Sequence, residues 1–125
     1  FQDSGQRPED FDGIYTGDLA SVGEALVRQL FRQDGVELGA RYQDCGTLLY
    51  DETQDAHAGA SGCGCSASCF YCFLMFKCRL LPELARGEKG RILFCGTGAL
   101  MSPVSANQGE SIPGICHLIR LEAMA

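Results

Sequence analysis

No block of basic residues interrupts this 125-residue chain, whose 10 Lys and Arg are scattered among 16 Asp and Glu for a formal charge of -6. That removes the electrostatic footprint a nucleic-acid binder needs. Long apolar runs are lacking too. The most apolar stretch, Ala67 to Phe76, is closed by Lys77 and Arg79, short of the roughly 20 residues a membrane span requires. No signal peptide, internal repeat, heptad or low-complexity tract is recognisable. The glycine run GASGCG has neither the G-x-G-x-x-G spacing nor a following Gly-Lys-Ser/Thr, so neither nucleotide fingerprint is present. The cysteines do not form paired short turns of the zinc-ribbon kind, and no metal or cofactor is expected. The eight thiols are read as reduced and largely packed as small hydrophobes.

What the chain does have is a central stretch, residues 55–81, in which a polar edge leads through Gly59, Gly62 and Gly64 into an almost wholly apolar segment. A helix apolar all round is a buried helix. One domain of this size offers few layers to bury it, so the helix is expected to pair with a second copy of the chain or with further protein. Residues 1–10 read as a polar lead-in and 11–125 as a single α/β unit. Phe11 to Thr16 reads as a strand. A helix with a Ser21/Glu24 capping box follows, with an apolar face of Val22, Ala25, Leu26, Val27 and Leu30, ending at Gly35. Thr47 to Tyr50, the short piece Ala56 to Ala60 and Arg91 to Cys95 read as strands, the last stopped by Gly96-Thr97-Gly98. Gly114 to Leu121 reads as the last strand. The order β-α-β-β-α-β-β gives a mixed sheet with a buried central helix.

The glycine loop is the strongest candidate site. Unpaired N–H groups and the helix dipole at the start of the central helix favour a carboxylate or phosphate, so Gly59, Ser61, Gly62, Cys63, Gly64 and Cys65 are candidate ligand-binding residues, with His57 just ahead of them. Close packing against the sheet explains the same glycines without a ligand. Asp18 follows a strand, where α/β sheets keep their ligands, and is equally placed to cap the next helix. Thr97, Ser102, Gln108 and Glu110 belong to a long polar loop suited to a pocket wall. A cysteine at the helix start, Cys65 or Cys63, would be an activated nucleophile if His57 or His117 lay within reach. Cys65, Cys69 and Cys72 fall on one face of an ordinary α-helix.

The runs YTGDLASVG, YQDCG, HAGASGCGCSA, RILFCGTGALMSP and QGESIPGICHLI, in this order, resemble the C-terminal part of the stage V sporulation protein AD family, which is thiolase-like. The resemblance implies a thiolase-like half whose central helix pairs with a counterpart in an N-terminal half or in a second copy. It implies a non-enzymatic role in the movement of dipicolinic acid, with calcium, during spore formation and germination. The partners implied are spore inner-membrane transport proteins, the location is peripheral to that membrane or at its cytoplasmic face, and the ligand is the dicarboxylate itself. The segment from His57 to Gly62 is similar to a thiolase histidine turn with Ala58 in place of proline, and Cys95-Gly96-Thr97-Gly98 keeps only the cysteine of another thiolase turn. An acyltransferase fragment using His57, Cys65 and Cys95 is therefore the alternative implied, and a structural half without its own site is a third.

Overall fold

The computed structural model describes residues 1–77, 80–99, 102–112 and 114–123, less the side chains of Glu52, Cys63, Phe73, Phe76 and Lys77. Alternation of apolar residues sets up the sheet. Strand β1 (Gly13–Thr16) lies between β2 (Tyr42–Asp44) and β3 (Arg91–Ala99), parallel to both, and β4 (Gly114–Glu122) adds antiparallel to β3, giving the order β2-β1-β3-β4. Side chains one residue apart point to opposite faces, and two apolar layers follow. Ile14, Tyr42, Leu93 and Cys95 face one side, where Val27 and Phe31 of helix α1 (Ala20–Gln33) pack with Phe11 and Leu38. Tyr15, Ile92 and Phe94 face the other, beneath the central helix.

The mixed α/β sheet agrees with the sequence reading, with several local differences. Neither Thr47 to Tyr50 nor Ala56 to Ala60 is a strand. The chain enters the short helix α2 (Cys45–Leu48) directly from β2, capped by Asp44, whose Oδ1 accepts from Gly46 N at 2.8 Å. Residues 96–98 do not end β3, because Gly96, Thr97 and Gly98 pair with His117, Cys116 and Ile115 across the ladder. The closing loop contains a helix, α5 (Pro103–Asn107), begun by Ser102 with Pro103 at its first position. Gly35 does adopt the left-handed conformation, φ 76°, that ends α1. The lead-in is folded rather than loose: Phe1 packs edge-on against Phe11 and Phe31, with ring centroids 6.1 and 6.0 Å away.

Helix α1 begins differently from its sequence signature. Ser21 makes no capping bond; residue 19 is the cap position and the bonds come from another element. Asp44, fully buried at the end of β2, accepts from Leu19 N (3.1 Å) and Ala20 N (2.7 Å). Its Oδ2 also accepts from the Thr16 hydroxyl at 2.6 Å, and the Thr16 and Tyr42 hydroxyls are 3.0 Å apart. Glu24 instead holds Arg28, which donates onward to the Gly39 and Tyr42 carbonyls. The apolar stripe facing the sheet is Val27 and Phe31, while Val22, Leu26 and Leu30 point outward and are more than half exposed. The helix is apolar on two sides, and sequence periodicity selected the wrong one.

The central helix begins as α3 (Cys63–Ser66) and continues from Ala67 to Lys77 with i→i+5 hydrogen bonding, the wider π geometry. The wider turn explains its burial. Cys65, Phe70 and Met75, five apart, and Cys69 and Leu74, also five apart, lie against the sheet. Phe70 stacks on Phe94 with centroids 4.1 Å apart and meets Tyr15 at 5.7 Å, contacts worth roughly 0.5–1.5 kcal/mol each beyond burial. Tyr71 is half-exposed with its ring edge-on to Phe94 at 6.2 Å, and Cys72 is exposed. The expected full burial is thus absent within this chain, and Cys72 leaves the face of Cys65 and Cys69 because a π turn spaces that face by five. Pro82 lies within α4 (Leu80–Ala85). Cys78 and Arg79, part of the same stretch, lie outside the described residues.

Removing the carboxylate of Asp44 leaves four donors without their acceptor in a site with no water access. Asp44→Ala is expected to cost roughly 3 kcal/mol in urea unfolding; a loss under about 1 kcal/mol would show that the bonds are replaceable.

Candidate functional site

The C-terminal ends of parallel β1 and β3 meet the start of the central helix, the location where open α/β sheets hold ligands. Asp18, just after β1, joins the three. The Thr97 hydroxyl on β3 donates to Asp18 Oδ1 at 2.6 Å, Asp18 N donates back to Thr97 Oγ1 at 3.1 Å, and Gly62 N, at the cap of α3, donates to Oδ2 at 3.3 Å. The anion-friendly end of the helix already holds a carboxylate from its own chain. Beside it, Asp18, Leu19, Thr97, Gly98, Ile115 and Cys116 border a cleft of about 420 Å³ that also reaches Ala99 and Gly114. Gly17 lets Ser66 approach, since a Cβ there would lie 2.3 Å from Ser66 Oγ and 3.1 Å from Thr97 Oγ1. Thr16, Ser66 and Cys116 escaped the sequence reading. Asp44 did as well, although an Asp just before Cys45-Gly46 is a readable cap signal.

The glycines of the loop divide by role. Gly59, at φ 113°, backs onto α2: an added Cβ would lie 2.4 Å from the Gly46 carbonyl oxygen. Gly46 is equally confined, with the Ala60 oxygen 2.2 Å from its Cβ position, and Ala60 N donates to the Gly46 carbonyl at 2.9 Å. This part of the loop is close packing. Gly62 adopts φ 93°, and neither it nor Gly64 would bring a Cβ within 4 Å of anything. Only this second part, with exposed Ser61, opens to solvent.

The remaining candidates are dispersed. His57 is nine-tenths exposed and lies 3.8 Å from Asp55, bordering a separate hollow with Ser21, Thr47 and Tyr50. Cys65 is buried under the central helix, whereas Cys95 lies on the α1 side of the sheet. The structure therefore does not bring His57, Cys65 and Cys95 together as a catalytic group. Nor is Cys65 activated. Burial, with the neighbouring Cys69, Asp44 and Asp18, pushes its thiol up to about 11. Cys45 is raised further by donating to Cys69 and by burial. The Cys63 backbone opens α3, and its side chain is outside the description. Ser102 caps α5, and Gln108 and Glu110 are exposed just beyond it; none of the three borders the Asp18 cleft. Among the described residues no group of three or more His, Cys, Asp or Glu is arranged to hold a metal ion, and no helix is long and apolar enough to cross a membrane.

A mixed, mainly parallel sheet with a glycine-rich helix start at the strand ends defines an α/β protein. The family model for stage V sporulation protein AD matches residues 1–122. Stage V sporulation protein AD of Bacillus subtilis (strain 168) is 39% identical over 122 residues, 98% of this chain and 34% of that protein. The chain belongs to the stage V sporulation protein AD family and is a sporulation-stage protein. It spans about a third of the length of the curated relative it matches.

Two contrasts test this division of the site. Gly46→Ala should cost about 1–3 kcal/mol of unfolding free energy, because backbone must shift to admit the methyl, whereas Gly64→Ala should be neutral or stabilise by up to about 1 kcal/mol. Equal losses in the two variants would remove the distinction between packed and open glycines. With a raised pKa and no exposure, Cys65 should resist iodoacetamide at pH 8 while Cys72 is alkylated, as read by peptide mass mapping; early alkylation of Cys65 would contradict the burial described.

Proposed function

We propose that this chain carries the dicarboxylate-binding part of a stage V sporulation AD protein and serves, without catalysis, in the movement of dipicolinate, with calcium, into and out of spores. The observation that carries the reading is family membership over 98% of the chain. The open glycines at the start of the central helix supply the physical support, because their N–H groups and the helix dipole favour a carboxylate. Ser61 and Gly64 are the residues assigned to the ligand, with Gly62, held by Asp18, and Thr97 fixing the entrance beside them. Dispersal of His57, Cys65 and Cys95 gives the acyltransferase alternative no comparable support.

The reading includes partners. Exposed Tyr71 on the central helix, Val22, Leu26 and Leu30 on α1, and Ile115, Leu118 and Ile119 on β4 are apolar. We assign the open side of the central helix to a counterpart helix, in a second copy or in further protein of the same family. Spore inner-membrane transport proteins are the proposed functional partners, with the protein peripheral to that membrane.

Titration calorimetry with calcium-free dipicolinate decides the ligand. Saturable heat is expected, and Asp18→Asn should tighten binding about fivefold, since one repelling charge near 4 Å is worth about 1 kcal/mol in water. No heat at millimolar ligand would overturn the dicarboxylate reading. Weaker binding by Asp18→Asn would move the ligand away from the helix entrance.

A further inference from the structure

The sheet ends on an edge that nothing blunts. Strand β4 pairs with β3 along nine consecutive residues without a bulge, and among the described residues no backbone bond leaves its other side. The register fixes which of its backbone groups are free. Ala123 N donates to Gly90 O at 3.0 Å, while on the other side of β3 Asp12 N donates to Arg91 O at 2.9 Å. Residues of an antiparallel ladder alternate in direction. Ile115, His117, Ile119 and Leu121 therefore turn their N–H and C=O groups to β3, and Gly114, Cys116, Leu118, Arg120 and Glu122 turn theirs to solvent. Edge strands are ordinarily protected by Lys, Pro, bulges or shortness. β4 has none of these, and its charges, Arg120 and Glu122, are paired with each other at 3.2 Å at one end. The rest is apolar and open, with Ile115 60%, Leu118 61% and Ile119 42% exposed.

We propose that β4 is the docking edge for β4 of a second copy of the chain, the two strands pairing antiparallel about a two-fold axis at Leu118. The strand's own sequence selects this partner and this register. Free backbone groups must meet free ones, so the outward-turned residues Gly114, Cys116, Leu118, Arg120 and Glu122 pair among themselves. Only the register centred on Leu118 pairs the whole strand. It sets Leu118 opposite itself, Ile115 opposite Leu121 and His117 opposite Ile119, so apolar side chains meet apolar ones along both faces. Arg120 falls opposite Cys116 and Glu122 opposite Gly114, so neither charge lies opposite or diagonal to its own kind. Centring on Arg120 instead would oppose two guanidinium groups and leave part of each strand unpaired. The pairing runs one continuous sheet through both copies and closes on itself, because each copy spends its open edge on the other. The proposal does not rest on the dipicolinate reading, and it uses the sheet edge rather than the open side of the central helix.

The test is sedimentation equilibrium of the reduced chain over a range of concentrations. A reversible monomer–dimer equilibrium without larger species is expected. Leu118→Lys sets two ammonium groups against each other on the axis and should weaken the dimer at least about tenfold. Its far-UV circular dichroism should not change, since Leu118 is exposed. Position 116 reads the register, because it meets Arg120 of the other copy only when the axis is at Leu118. Cys116→Glu should tighten the dimer about fivefold through two new ion pairs, and Cys116→Lys should loosen it by a similar factor. Leu26→Lys, on the outward stripe of α1, should leave the equilibrium unchanged. A chain that stays monomeric at every concentration, a dimer that Leu118→Lys leaves intact, a dimer that Leu26→Lys abolishes, or equal effects of Glu and Lys at position 116 would each overturn the proposal.

Discussion

One buried carboxylate holds the first half of the chain in register. Asp44 Oδ1 accepts from Ala20 N and Gly46 N, and Oδ2 from Leu19 N and the Thr16 hydroxyl. These donors belong to the end of β1, the start of α1 and the start of α2, and Asp44 itself ends β2. A charge at zero exposure is tolerable only when such bonds replace its water. The same bonds account for a strained residue. Ala20 has φ 55°, a left-handed conformation that costs a non-glycine residue about 1 kcal/mol or more. It is held there by Asp44 at its own N–H and by the Ala58 carbonyl at Ser21 N. Helix α1 therefore starts where a neighbouring strand tells it to, not where Ser21 and Glu24 would start it.

The two faces of the sheet are finished unequally. Under the central helix, aromatic stacking of Phe70 on Phe94 and the five-residue spacing of Cys65, Phe70 and Met75 make a continuous layer. Had the segment been an ordinary α-helix, residues 65, 69 and 72 would have shared that face and Phe70 would have rotated away from it. The π geometry keeps Cys65, Cys69 and Phe70 against the sheet. On the other face α1 is displaced toward β2, anchored there by Arg28 over the Tyr42 ring at 4.8 Å. Leu93 and Cys95 of β3 share a cluster with Val27 and Phe31 of α1, and beyond them this face of β3 and β4 borders an apolar hollow.

Strands and helix ends whose signals are local were legible in the sequence. The alternation in Arg91 to Cys95, the β-rich run Gly114 to Leu121 and the terminal Gly35 were read correctly, as was the mixed α/β class. The misses have a shared physical cause. Thr47 to Tyr50 is β-prone by composition, but Asp44 caps the segment and turns it into α2. Gly96-Thr97-Gly98 has the composition of a turn, yet β4 supplies it with partners 17 to 21 residues further on. The outward stripe of α1 is as apolar as the inward one, and only the tertiary fold distinguishes them. At the site, Asp18, Thr97 and Gly62 were each singled out in the sequence and do converge. His57 and the residues beyond Ser102 were singled out on the same kind of signal and do not, because adjacency to a glycine loop in sequence says little about which side of a turn faces the sheet.

The residues that the hub holds, Leu19 and Ala20, directly follow Asp18 of the candidate site, and that links stability to the site's geometry. Asp44 fixes Leu19 and Ala20, and the chain just before them carries Asp18 to Thr97 and Gly62. The position of the helix entrance is thereby set from β2, through α1, rather than by the glycine loop alone. Rigidity at the entrance matters because its N–H groups attract an anion only while they stay aimed at one point. Asp18 has a double effect on that attraction. It orders the loop by bonding Gly62, and it places a negative charge where a ligand carboxylate would come to rest. On the dicarboxylate reading proposed above, the ligand would approach from the more open side of the turn around Gly64, with Asp18 left in place as a wall beside it.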